Sequence, residues 1–186
     1  MHTAVLLLAA GASRRFGPRN KLLQPLEGKP LIRHAADAAR AVPVGLHFAV
    51  ISDPEVEALL PDFRRVRVDP GQPQSASLKA GLAVAQALLA DSVLVVLADM
   101  PRATTALMQQ VLQRGDRMPA AASDGQRVLP PAFFPESVFP AIAELTGDQG
   151  AGAILRHLPA GQRVLAEAGL LVDIDTPADL AALEAR

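Results

Sequence analysis

Apolar runs and amphipathic stretches take turns along this chain from end to end. The apolar runs predict strands over Ala4 to Leu8, His47 to Ile51, Val66 to Val68, Ser92 to Ala98 and Met118 to Ala122, with weaker signals at Phe133-Phe134 and Leu171 to Ile174. Ala4 to Leu8 is apolar at every position rather than alternating, so it reads as a strand buried on both faces of a parallel sheet. Between the runs, helical patterns cover Leu31 to Ala41, Pro54 to Leu60, Ser75 to Leu89, Ala103 to Arg114, Pro135 to Leu145, Gly150 to His157 and Pro177 to Ala185. Strand and helix in alternation predict an α/β fold with a mainly parallel sheet.

Several boundaries carry local chemistry that supports these elements. Asp53-Pro54 and Thr176-Pro177 each pair a capping side chain with a proline suited to the first helical position, and Gly115 follows the helix expected to end at Arg114. Turn residues mark loops over Asp69 to Gln74 and Ser123 to Pro131. No repeat, low-complexity tract or linker interrupts the pattern. A chain of 186 residues suits one well-buried core, so residues 1–186 are expected to form a single domain.

Composition narrows the function classes. Half of the residues are apolar and 20% are charged, which is a folding composition. A net charge of −1, with no long basic stretch, leaves no electrostatic footprint for nucleic acid. The chain has no cysteine, which removes disulfides, thiolate catalysis and cysteine-ligated metals. The apolar start is too short for a signal peptide or a membrane span, so no membrane partner and a cytoplasmic location are expected.

The most informative segment follows the first strand: Leu8-Ala9-Ala10-Gly11-Ala12-Ser13-Arg14-Arg15-Phe16-Gly17, and then Lys21. Small residues let the backbone approach an anion, successive N–H groups can point at it, and cations neutralise the remaining charge. The spacing fits neither a P-loop, since Lys21 follows Asn20, nor a GxGxxG dinucleotide loop, since Gly11 and Gly17 have no glycine between them. A solvated surface pair is the plain alternative for Arg15 and Lys21, but their place behind a buried strand favours polyphosphate. Arg14 reads as peripheral. Ligands in open α/β sheets sit beyond the carboxyl ends of the strands. Leu97-Ala98-Asp99-Met100-Pro101 closes the strongest later strand, so Asp99 should face the same crevice as the glycine loop. A carboxylate there is a natural hard-oxygen ligand for Mg²⁺, or else the cap of the next helix. Asp173 and Asp175 are two apart and would face one side of a strand, where they could complete a metal site. Asp175 is the favoured one of the two, and a turn role before Thr176-Pro177 is its alternative. His2, His34, His47 and His157 fall in no hydrolase arrangement, and structural roles are expected for them.

The same residues resemble the signature of the MobA-like nucleotidyltransferases, LAAGxSxRxGxxK followed by LLxPLxGxPL, here running from Leu8 to Lys21 and from Leu22 to Leu31. The likeness continues through Ser77-Leu78-Lys79-Ala80-Gly81-Leu82, Leu97 to Pro101, Pro131 to Phe134, Thr146 to Ala151 and Val172 to Leu180. Two departures stand out. Three residues lie between Gly17 and Lys21 where the family usually has two, and Pro130 stands where many cytidylyltransferases carry histidine. Ala10 gives the loop the LAAG form, which is similar to molybdenum cofactor cytidylyltransferases, rather than the LAGG form of the guanylyltransferases.

The resemblance implies a three-layer α/β/α sandwich of the nucleotide-diphospho-sugar transferase type. It implies Mg²⁺-dependent transfer of a nucleoside monophosphate, CMP from CTP, to the terminal phosphate of molybdopterin bearing molybdenum, with a molybdoenzyme as the eventual recipient. By the same resemblance Lys21, Arg15 and Asp99 are catalytic. Leu8, Ala9, Ala10, Gly11, Ala12, Ser13, Arg15, Lys21, Ser77, Gly81 and Asp99 bind nucleotide, and Asp99, Asp175 and Asp173 bind metal. By sequence alone Ser77 and Gly81 are equally a helix-start serine and a packing glycine. A guanylyltransferase, a cytidylyltransferase for another phosphorylated acceptor, and a non-catalytic cofactor-binding chaperone are the alternative functions.

Overall fold

A computed structural model describes residues 2–11, 13, 15–17 and 19–185 of the chain. The first strand, β1 (Thr3–Ala9), enters the middle of the sheet and ends in the glycine loop. A short 3₁₀ turn, Lys21–Leu23, and a small hairpin of β2 (Pro25–Leu26) and β3 (Lys29–Pro30) lead into α1 (Leu31–Arg40). Then follow β4 (Leu46–Ile51), α2 (Pro54–Ala58), β5 (Arg64–Arg67), α3 (Gln74–Ala87), β6 (Ser92–Leu97) and α4 (Thr105–Gly115). The remainder is β7 (Ala120–Ser123), β8 (Val128–Pro135), α5 (Phe139–Ala143), α6 (Gly152–Leu155), β9 (Arg163–Leu165) and α7 (Pro177–Glu184).

Seven strands form one sheet in the order β5-β4-β1-β6-β8-β7-β9. β1 pairs in parallel with β4 on one side and β6 on the other, so Leu8 lies between Val50 and Leu97. β4 pairs in parallel with β5, and β7 with β9, while β8 runs antiparallel to both β6 and β7. The chain therefore winds outward from β1 in both directions, and the crevice beyond β1 is the place where an α/β sheet accepts ligands.

The uniformly apolar first run is explained by cover on both faces. Val5, Leu7 and Ala9 pack with α1, α2, α4 and α7, whereas Ala4 and Leu6 pack with α3, α5 and α6. The result is a three-layer α/β/α sandwich. The proline-linked caps form as expected: Asp53 accepts from the Glu55 N–H, and Thr176 forms a reciprocal box with Asp179. That box holds the Asp179 carboxyl below its usual range, chiefly through the Thr176 hydroxyl.

Several elements differ from expectation, among them the helix expected over Pro135 to Leu145, which is reduced to a 3₁₀ turn and α5 because β8 runs on to Pro135. Leu171 to Ile174 is not a strand; it runs irregularly past the end of β6, with the Ile174 N–H donating to the Asp99 carbonyl at 2.9 Å. The loop expected over Ser123 to Pro131 shrinks to a turn at residues 124–127, because β8 begins at Val128. Asp124 closes that turn by accepting from the backbone N–H groups of Gln126 and Arg127. Gly115 is the last residue of α4 rather than the residue after it, and a side chain there would overlap the Phe133 ring. The last difference is β9, three residues too short to leave a periodic signal.

His34 and His47 take structural places, the one bonded to the Leu26 carbonyl and the other buried between Arg40 and the Val42 carbonyl. Among the described residues, no helix is long and apolar enough to cross a membrane.

Candidate nucleotide site

The glycine loop leaves β1 at the carboxyl edge of the sheet and folds back over it. Ser13 adopts a φ of +48°, a left-handed conformation uncommon outside glycine, and Gly17 a φ of +102°. The Phe16 N–H donates to the Ser13 carbonyl at 2.9 Å, which closes a turn between them. A second set of bonds fixes where the loop ends. The Ser13 hydroxyl donates to Asn20 Oδ1 and accepts from the Lys21 N–H, and Asn20 Nδ2 donates to the Asp53 carboxylate at 2.8 Å. Asn20 also caps the 3₁₀ turn that begins at Lys21. The hydrogen bond from Asn20 is the main reason that the Asp53 carboxyl lies below its ordinary range.

This anchoring aims Lys21 across the crevice. Its side chain is only 9% exposed, and Nζ donates to Asp99 Oδ2 at 2.8 Å and to Asp175 Oδ1 at 3.0 Å. Arg15 Nη2 completes an alternating array by meeting Asp175 Oδ2 at 2.7 Å. Burial works to depress the Lys21 ammonium, but the Asp99 charge and the hydrogen bonds from both carboxylates outweigh it, and its pKa is raised above 10.5. Lys21 is therefore a fixed cation at neutral pH.

Asp99 and Asp175 come together for different reasons. Asp99 follows the end of β6, and the Ala98 N–H donates to the Leu8 carbonyl, which ties this point to the start of the glycine loop. Asp175 is delivered by the irregular segment hydrogen-bonded to Asp99, and its own N–H donates to Asp179 in the cap of α7.

Around this array lies an open cavity of about 540 Å³. Leu8, Ala9, Ala10, Gly11, Ser13, Arg15, Lys21, Ser77, Asp99 and Asp175 all line it. Three expected site residues do not belong to that group. Gly81 lies inside the helix–sheet interface, where an added Cβ would press on Val50 and Leu6, so it is the packing glycine of α3. Asp173 is exposed and away from the cavity, because the segment is not a strand and residues two apart do not share a face. Ala12, like Arg14, lies outside the described residues.

The cavity also contains residues that had no assigned site role: Gly71 and Gln72 from the loop after β5, Gln74 at the start of α3, and Asp148 from the loop before α6. The rule that ligands gather beyond the carboxyl ends of strands was the available signal for the first three. Asp148 lies in the Thr146 to Ala151 segment of the family likeness, which gave it no assigned role.

Among the described residues no group of three or more His, Cys, Asp or Glu side chains forms a ready-made metal cage. Asp99 and Asp175 nevertheless already share one positive charge between them, and two carboxylates plus substrate phosphates suffice for Mg²⁺. The donor set thus fits a hard divalent cation that arrives with a nucleotide.

Comparison with known proteins agrees with this arrangement. The chain is 30% identical to the purine catabolism protein PucB of Bacillus subtilis over 188 residues, covering 92% of this chain and 91% of that protein. It is 36% identical to the molybdenum cofactor guanylyltransferase of Pseudomonas aeruginosa over 121 residues, which is 63% of this chain and 58% of the relative. The crystal structure of Rv0371c from Mycobacterium tuberculosis superposes with a TM-score of 0.82 at 26% identity, covering 99% of this chain and 98% of that one. A complex of the same mycobacterial protein with manganese gives a TM-score of 0.80 at 22% identity, covering 100% and 99% of the two chains. The family model for the MobA-like NTP transferase domain matches residues 5–164, which include the glycine loop, Lys21 and Asp99: the chain is a nucleotidyltransferase of the MobA-like NTP transferase family.

Proposed function

We propose that the protein transfers CMP from CTP to the terminal phosphate of molybdopterin bearing molybdenum, with Mg²⁺ as its metal. The observation that carries the reading is the Lys21 ammonium held between Asp99 and Asp175 on the wall of a cavity of nucleotide size. An acceptor phosphate oxygen attacks the α-phosphorus in line, and the bond from that phosphorus to the bridging oxygen breaks as pyrophosphate leaves. Lys21 stabilises the negative charge that grows on the α-phosphate and on the leaving group, because it is a buried cation on the cavity wall. Arg15 is 73% exposed on the outer rim, where it suits the β- and γ-phosphates. Backbone N–H groups of the glycine loop cradle the phosphates, and Ser77 at the start of α3 faces the nucleoside side of the cavity. Asp99 and Asp175 would hold Mg²⁺ together with substrate phosphates, and the ion would supply charge neutralisation and orientation there.

The choice of CTP rests on Ala10, which lines the cavity with a methyl group where guanylyltransferases carry glycine. That methyl reduces the room for a purine. Similarity to a molybdenum cofactor guanylyltransferase supports the acceptor and keeps GTP as the nucleotide to test against. Calorimetry with each nucleotide and Mg²⁺, followed by pyrophosphate release with molybdopterin, tests the reading. CTP should bind more tightly than GTP and support turnover; tighter GTP binding with GMP transfer refutes the cytidylyl assignment. Binding without pyrophosphate release would favour a cofactor-binding chaperone.

A further inference from the structure

Asp148 reaches the nucleotide cavity on residues 146–150, a loop between α5 and α6. Leu145 before the loop and Ala151 after it are buried in the core cluster that also holds Leu78 and Leu82 of α3, whereas residues 146–149 are exposed. Among the described residues, the hydrogen bonds from this loop to a distant part of the chain all go to one residue, Ser75, the second residue of α3. Its hydroxyl donates to the Gly147 carbonyl at 2.7 Å, and its N–H donates to the same oxygen at 3.3 Å.

Ser75 is 3% exposed, and it does not cap its own helix, whose N-cap is Pro73 with no side-chain bond to offer. A buried hydroxyl is costly unless it is bonded, and the first N–H groups of a helix need partners from outside it. The Gly147 carbonyl meets both demands at once. Gly147 has a φ of +56° and open space where a side chain would stand, so the turn rather than packing calls for glycine there. Three residues on, the Gln74 side chain lies so close over Gly150 that a Cβ at 150 would overlap its amide. The loop is thus fastened to the first two residues of α3, and the same end of α3 presents Gln74 and Ser77 to the cavity.

We infer that Ser75 is a positioning residue for nucleotide binding: its bond to Gly147 locks residues 146–150 onto α3, so that Asp148, Gln74 and Ser77 form one wall of the cavity. The inference rests on the nucleotidyl-transfer reading and adds to it a residue that does not itself line the cavity. Lys21, Arg15, Asp99 and Asp175 hold one another in place from other elements. Opening the latch therefore loosens the nucleoside side of the cavity and leaves the phosphate side as it is. A latch that is open part of the time lowers the apparent affinity by the fraction of molecules still competent to bind.

The test is calorimetry on the whole chain with Mg²⁺ and two probes. One is whichever of CTP and GTP the native protein binds more tightly; the other is inorganic tripolyphosphate, which has the phosphates but no nucleoside. Ser75→Ala should weaken the nucleotide about fivefold, as one lost hydrogen bond passed on to binding would, and leave tripolyphosphate within about twofold. In turnover with molybdopterin the same variant should raise the nucleotide KM by a similar factor with kcat within about twofold, a split that a general loss of stability does not produce. The other end of the latch gives a check that spares the buried position. Gly147→Val, whose branched side chain opposes a φ of +56°, should reproduce the loss, whereas the conservative Gly147→Asn, which tolerates that conformation and points into open space, should retain tight nucleotide binding. Equal losses for both probes, or a Ser75→Ala variant with native nucleotide affinity, overturn the inference alone. A native protein that binds neither nucleotide refutes the nucleotidyl-transfer reading and takes the inference with it.

Discussion

Replacing Lys21 by methionine keeps an unbranched apolar stem of similar length and removes the charge, so it isolates what the ammonium does in the absence of substrate. Asp99 Oδ2 and Asp175 Oδ1 both lie within 3.0 Å of Nζ. The two oxygens are therefore at most about 6 Å apart, and their repulsion is about 3 kcal/mol at an effective dielectric of 20 and under about 1 kcal/mol in bulk water. With carboxylate side chains 25% and 26% exposed, the expected loss lies between these limits, about 1–3 kcal/mol. For a chain of this size that corresponds to a drop in Tm of about 2–12 °C. Divalent cation should reverse the effect, since in the variant a metal meets an open carboxylate pair, whereas in the native protein it must displace Nζ.

The assay is thermal unfolding of both proteins without nucleotide, with and without millimolar MnCl₂ or MgCl₂. Lys21→Met should melt lower without metal and gain more from it, because a ligand that binds only the folded state stabilises by mass action. The pH dependence has a definite sign. The folded pKa of Lys21 is raised, so its contribution is full below 10.5 and is lost only as pH climbs through the folded value. The difference between the two proteins should thus hold from neutrality to about pH 10 and close beyond it. Equal melting temperatures together with equal metal responses would refute the idea that Lys21 stands between the carboxylates as a resident cation.

Three further outcomes follow from the same geometry. Asp99→Asn should fold normally yet lose at least about a hundredfold in turnover, comparable to removing one preorganised electrostatic contact; near-normal steady-state rates would leave Asp99 a structural residue. Arg15→Ala should act mainly on KM for the nucleotide and Lys21→Ala mainly on kcat, since an exposed rim contact holds ground and transition states alike; initial-rate kinetics showing the reverse split would exchange their roles. Burial, then the nearby Arg40 charge, lowers the pKa of His47 below 6.5, so its neutral form stabilises the fold fully above pH 6.5 and ever less as pH falls; His47→Gln should flatten that part of a urea-denaturation pH profile.

The fold was legible because its signals are local and repeated. A run apolar at every position, such as Ala4 to Leu8, reads as a strand covered on both sides, and the sheet places it in the interior between β4 and β6. Asp53-Pro54 and Thr176-Pro177 marked helix starts correctly because capping depends on a few adjacent atoms. The failures share a cause as well. Leu171 to Ile174 has strand composition, yet the segment is held by a single recorded backbone bond to Asp99 and by the cap of α7, contacts that no window of sequence contains. The same tertiary arrangement put Asp175 into the cavity and left Asp173 outside.

The site was legible where a motif concentrates its residues, and opaque where it depends on distant ones. Lys21 tests that boundary, because one extra residue precedes it compared with the family pattern. A loop one residue longer would ordinarily shift the reach of a lysine by about 3 Å, enough to break a 2.8 Å contact with Asp99. The loop instead absorbs the length between two fixed points. Ser13, at φ +48°, binds both Asn20 and the Lys21 N–H, so the ends of the excursion stay together whatever bulges between them. Asn20 in turn is held by Asp53 at the start of α2, and Leu22, 2% exposed, sinks into the core directly after Lys21. The position of Lys21 is thus set by what surrounds it in space rather than by its distance along the chain from Gly17. Asn20→Ala should therefore loosen Lys21 without touching the cavity, lowering kcat by about tenfold while leaving the CTP affinity near normal. Full turnover in that variant would mean that Leu22 and the 3₁₀ turn alone position the lysine.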